Sequence, residues 1–168
     1  MFEKSIELLN KAVADELSAV HQYMYFHFHC DDQGLDLLAG LFRTTAIQEM
    51  RHVETLAERI LFLKGDVNMN MAEDVKPTRN VREMVEMAAA MEMDAVKTYN
   101  LWANECAANA DAISKKLFED LVADEERHFD QFDTELDNLK QYGDGYLALQ
   151  SIERSKTVST MGGGGGEA

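Results

Sequence analysis

Glu49-Met50-Arg51-His52 and Glu125-Glu126-Arg127-His128 are two near-copies of one tetrapeptide, set 76 residues apart. The same offset extends upstream. Glu16-Leu17-Ser18-Ala19-Val20-His21-Gln22-Tyr23 lies over Glu92-Met93-Asp94-Ala95-Val96-Lys97-Thr98-Tyr99, and Cys30 lies over Cys106. A single Glu-x-x-His is common on solvated helix surfaces and carries little information. Two copies, each following a lone Glu by 33 residues, mark an internal repeat.

The sequence around these motifs has helical periodicity. Ile6, Leu9, Val13, Leu17, Val20 and Met24 recur at three- and four-residue steps, which predicts a first helix over residues 5–31. Gly34 supplies a stop, because glycine readily takes the left-handed conformation that closes a helix. A second helix is predicted over 35–64, a third over 80–109 with Thr78 or Asn80 as N-cap, and a fourth over 112–141, stopped by Gly143. Each spans roughly 40–45 Å at about 1.5 Å per residue. Four helices of matched length imply an all-α four-helix bundle.

The connections fix its topology. The first and third are a few residues long, so each joins an antiparallel hairpin. The middle segment, 65–79, lacks a period and holds the only proline, Pro77. At about 3.3 Å per extended residue it can run the length of the bundle. A long crossover of this kind lets helices two and three run parallel. A short fifth helix is predicted over 145–154. Residues 1–154 then form one domain, and 155–168, with Gly162–Gly166, form a flexible Gly-rich tail. On this topology Cys30 and Cys106 lie near opposite ends, roughly 40 Å apart, too far for a disulfide.

Composition removes whole classes of function. Lys and Arg number 16 against 31 Asp and Glu, a net charge of −15, which argues against binding led by nucleic-acid phosphates. Two Cys without a C-x-x-C pairing make neither a disulfide scaffold nor a zinc or redox motif. No secretory signal and no membrane span is read, so a cytoplasmic location is expected.

The repeat carries the chemistry. Glu49 and His52 sit at i and i+3 on one helix face, as do Glu125 and His128, while helices one and three each supply one Glu, Glu16 and Glu92. Four carboxylates and two imidazoles are thereby expected at mid-bundle. Buried without counter-charge they would be very costly. Two divalent cations would cancel the charge, and a donor set of O and N suits iron or manganese.

With these motifs, and with Glu58-Arg59-Ile60-Leu61-Phe62-Leu63-x-Gly65, Asp124-Glu125-Glu126-x-His128 and Gly143-x-x-Tyr146-Leu147, the chain resembles the bacterioferritin branch of the ferritin-like di-iron superfamily over about residues 3–154. The resemblance implies an iron-storage protein with ferroxidase activity. It would oxidise Fe2+ with O2 or H2O2 and deposit Fe3+ mineral in a hollow 24-subunit homo-oligomeric shell built from two-fold dimers. It implies two iron ions per subunit: Glu16 and His52 as terminal ligands of one, Glu92 and His128 of the other, Glu49 and Glu125 bridging, and Tyr23 close by.

Met50 breaks the repeat, since Glu126 stands at its counterpart. Directly after Glu49, it points about 100° away from the metal face. The resemblance makes it the axial ligand of a haem shared between two subunits. A ferredoxin-type reductant for iron release is implied in the same way. Thr44 and Gln48 are weak metal-binding groups, so an additional iron site on the inner surface is not expected. Two other di-iron proteins compete with this reading: a twelve-subunit miniferritin, and a rubrerythrin-like peroxide-reducing protein, which would usually carry a Cys pairing that this chain lacks.

Overall fold

In the computed structural model, which describes residues 2–162, five helices follow in order: α1 (Glu3–Asp32), α2 (Asp36–Phe62), α3 (Val81–Ala108), α4 (Ala112–Tyr142) and α5 (Asp144–Gly162). Local chemistry sets most of the ends. Gly34 takes φ +78° after α1 and Gly143 takes φ +52° after α4. The Asn80 side chain accepts the Glu83 N–H at the start of α3, and Asp111 accepts the Ser114 N–H at the start of α4. Helix α2 stops two residues short of its predicted end, because Lys64 adopts φ +65° and turns the chain out of the helix.

That turn brings Gly65 against α1. A Cβ built on Gly65 would meet Ile6 Cγ2 at 2.7 Å, so the approach requires glycine. The crossover then runs along α1, tied to it at successive turns. Asn10 donates to Asp66 O (3.0 Å) and accepts from Asn68 N–H (2.8 Å). The Ser18 hydroxyl accepts from the Ala72 and Glu73 N–H groups. Gln22, buried, clamps the Lys76 peptide from both sides, donating to its O (3.1 Å) and accepting its N–H (2.8 Å). The path delivers the chain to the far end of α1, where α3 starts. Helices α2 and α3 therefore run parallel and α1 and α3 antiparallel, as the segment's length predicts.

The core has two apolar clusters. One packs Tyr23, Phe26, Phe42, Met84 and Phe132; the other packs Leu9, Val13, Leu56, Tyr99 and Phe118. A belt of buried acids and histidines lies between them. The cysteines are free, and one sits in each cluster. The Cys30 thiol meets Met84 near the start of α3, while Cys106 meets Ser5 near the start of α1, which places them toward opposite ends.

Helix α5 is longer than predicted. It continues past Arg154 to Gly162, into the stretch expected to be a flexible tail. Residues 151–160 are exposed throughout, so no buried stripe announces a helix there. Its support is local: hydroxyls of Ser155, Thr157 and Ser159 bond carbonyls one turn back, and Lys156 pairs with Glu153. Gly163–Gly166 of the expected tail lie outside the described residues. Among those described, no helix is long and apolar enough to cross a membrane.

Candidate metal centre

All four long helices contribute to the polar belt. Glu16 comes from α1, Glu49 and His52 from α2, Glu92 from α3, and Glu125 and His128 from α4, each at most 7% exposed. Their ligand atoms form two overlapping groups, Glu16–Glu49–His52–Glu125 and Glu49–Glu92–Glu125–His128, with the atoms of each group within 4.8 Å of one another. All six residues that the sequence predicts for the site are thus brought together.

The groups share their carboxylates in an ordered way. Glu49 Oε2 lies 2.9 Å from His52 Nδ1, and Glu49 Oε1 lies 3.1 Å from His128 Nδ1. Glu125 repeats this, with Oε1 3.2 Å from His52 Nδ1 and Oε2 3.0 Å from His128 Nδ1. Glu16 faces only His52 (3.4 Å), and Glu92 only His128 (3.6 Å). Apart from the His52 nitrogen that they share, Glu49 Oε2 and Glu125 Oε1 have no hydrogen-bond partner despite their burial. Buried carboxylate oxygens so poorly supplied with donors are the kind of group that a cation satisfies. The donor set, four carboxylates and two imidazoles, fits two such cations.

Two tyrosines brace the centre crosswise. Tyr23 of α1 donates to Glu92 Oε1, and Tyr99 of α3 donates to Glu16 Oε1, each at 2.5 Å. The outer nitrogens of the imidazoles are also held. His52 Nε2 lies 3.1 Å from Asp124 Oδ2, and His128 Nε2 lies 2.6 Å from Gln48 Oε1. The roles of Tyr99, Gln48 and Asp124 are not predicted from the sequence, although the offset of 76 residues that relates Tyr23 to Tyr99 also pairs Gln48 with Asp124.

The belt also shifts its own proton equilibria. Burial, with Glu16 and Glu92 close by, pushes Glu49 up to about 8. Burial and the neighbouring Glu16 and Glu49 carboxylates raise Glu125 as well. Burial opposes charge on His52, but the carboxylates of Glu125, Glu16 and Glu49 around it prevail and hold it protonated well above the ordinary imidazole range. His128 is raised in the same way, with Glu125, Glu49 and Glu92 outweighing its burial. Both tyrosine hydroxyls are pushed up, first by burial and then by the neighbouring acids, and remain donors.

Between α1, α3 and the crossover, a cavity of about 500 Å3 reaches Glu16, Glu49, Glu92 and Glu125, and Asp15, Glu73, Asp74 and Asp94 also line it. Met50 is not part of the centre. It is 41% exposed on α2, one turn after the equally exposed Ile47. His21 is exposed too, with Nδ1 against Leu17 O, and Gln131 is exposed.

The ferritin-like domain family matches residues 6–142. Bacterioferritin of Rhodobacter capsulatus is 37% identical over 147 residues, 87% of this chain and 91% of that protein. The chain belongs to the bacterioferritin family. Another bacterioferritin, from Brucella melitensis, is 38% identical over 141 residues, covering 84% of this chain and 88% of the relative. The solved R. capsulatus bacterioferritin structure, described as having a metal-free dinuclear site and a haem iron in a crystallographic special position, superposes with a TM-score of 0.84 at 36% identity, over 88% of this chain and 92% of that one. Membership accounts for the bundle, and the buried carboxylate–histidine cluster of this bacterioferritin-family chain fits a di-iron site.

Proposed function

We propose that the chain is an iron-storage ferritin with ferroxidase activity. Each subunit takes up two Fe2+, oxidises them with O2 or H2O2, and passes Fe3+ to a mineral core inside a hollow 24-subunit shell. One observation carries this reading: two ligand groups, each with its own Glu and His, that share Glu49 and Glu125. Glu16 and His52 are the terminal ligands of one iron, and Glu92 and His128 those of the other.

The substrate ion enters through the acid-lined cavity between α1, α3 and the crossover. Asp15, Glu73 and Asp74 give it a negative lining that concentrates cations. At the centre Fe2+ displaces the protons held by His52, His128 and Glu49. The four carboxylates then supply the charge that stabilises Fe3+ over Fe2+. Two Fe2+ lose one electron each; O2 takes both with two protons and leaves as H2O2. Tyr23 and Tyr99 keep Glu92 and Glu16 oriented through the change in charge. A haem, when bound, supplies a redox centre between subunits. Met50 would hold it, because its thioether is exposed beside Ile47 on α2 and points out of its own bundle.

The ligand set lies within one chain, which favours this reading over a miniferritin with a metal site between subunits. Glu125→Ala is expected to abolish fast Fe2+ oxidation in stopped-flow measurements while leaving the helical circular dichroism in place. Unchanged kinetics in that variant would overturn the assignment.

A further inference from the structure

The two halves of the centre are alike in their direct ligands. Each has one terminal Glu, one His and the two shared carboxylates, and each terminal Glu accepts a tyrosine hydroxyl at 2.5 Å. The repeat fails one layer further out. His52 Nε2 faces the carboxylate of Asp124, while His128 Nε2 faces the neutral amide of Gln48. Arg127 holds the other Asp124 oxygen at 2.8 Å, which fixes Oδ2 toward the imidazole. Beside the terminal acids the breaks balance: Asp15 precedes Glu16 where Met91 precedes Glu92, but Asp94 follows two residues after Glu92 where Ser18 follows two after Glu16. The Asp124–Gln48 difference alone adds negative charge to the Glu16–His52 half.

We propose that the two iron positions are unequal, and that Asp124 is the positioning residue that makes the Glu16–His52 position the tighter one. This rests on the di-iron reading above. An imidazole that donates its outer N–H to a carboxylate is fixed in its tautomer and is a more basic ligand than one that donates to an amide. Removing such a partner typically costs about 10–100-fold in metal affinity. His52 therefore presents Nδ1 as the stronger donor. The Glu92–His128 position, backed only by Gln48, fills second and empties first. The centre would then hold one iron firmly and exchange the other.

The test uses assembled protein stripped of metal, with Co2+ as an oxidation-resistant probe under anaerobic conditions. Titration followed by visible absorption is expected to show two ions per chain in unequal steps, roughly tenfold or more apart. Crystals soaked with one Co2+ per chain are expected to show anomalous density mainly at the Glu16–His52 position. Asp124→Gln should weaken the first step by about 10–100-fold and bring the two together. The combined Gln48→Asp, Asp124→Gln exchange should move the first ion to the Glu92–His128 position. Equal occupancy in the unaltered protein, or an order of filling that Asp124→Gln does not change, overturns the proposal. Failure to bind two Co2+ per chain would instead remove the di-iron reading beneath it. If the exchanged variant does not assemble, the occupancies in the unaltered protein decide alone.

Discussion

Glu49 and Glu125 each turn one oxygen toward His52 and the other toward His128, and this arrangement governs how the centre responds to pH. Glu49 titrates near 8, and both histidines are raised. At neutral pH the centre without metal therefore holds protons that a cation must displace. Co2+ binding is expected to release protons, detectable with an indicator in weak buffer, and its affinity should climb with pH through the range near 8 and beyond it, because the histidine protons persist above that of Glu49. A pH-independent isotherm with no proton release would refute this. The sign for stability follows from the same shifts. Glu49, raised above its unfolded value, favours the metal-free fold below the ordinary carboxylate range and loses that contribution as pH rises toward 8, while the raised histidines keep theirs past that point. The gain in melting temperature on adding Co2+ should thus be larger at pH 8 than at pH 5. The six residues of the centre were legible in the sequence because they obey both the repeat and the helical period. Gln48 and Asp124 obey the repeat too, but their contacts with the imidazoles depend on how α2 and α4 are rotated against each other, which periodicity leaves open.

Among the elements, the four long helices were readable to within a few residues from apolar stripes and capping residues. The crossover was not: an aperiodic segment reveals its length but not its path. The path is set by side chains of α1, namely Asn10, Ser18 and Gln22, bonding to the crossover backbone. Gln22→Ala removes both clamps on the Lys76 peptide, so hydrogen exchange at the Lys76 amide should accelerate while amides in the middle of α1 stay protected. Gly65→Val should destabilise the protein by about 1–3 kcal/mol in chemical denaturation, because its side chain would overlap Ile6. Helix α5 was the element least visible in advance. Its second half buries nothing, and its hydroxyl-to-backbone bonds leave no periodic trace in the sequence.

At the scale of the molecule, the excess of acid first excluded nucleic acid. Four of those carboxylates now form the centre, and others line the cavity that leads to it. The exposed Met50 gives the proposal of a haem-bearing shell its own test. Reconstituted protein should show a Soret band that Met50→Leu abolishes, and sedimentation should report 24 subunits; a twelve-subunit particle without haem absorption would contradict both. One consequence of the shared carboxylates remains. Each terminal Glu and His pair belongs to a single hairpin, Glu16 with His52 and Glu92 with His128, whereas Glu49 and Glu125 each reach the imidazole of the opposite hairpin. A filled centre is therefore a clasp across the seam between two independently turned halves. Because ions bound only to the closed form stabilise it by mass action, an iron-loaded subunit should open along that seam far less often than an empty one. Breathing of the bundle, read by hydrogen exchange along the α1–α3 contact, would then report whether the centre is filled.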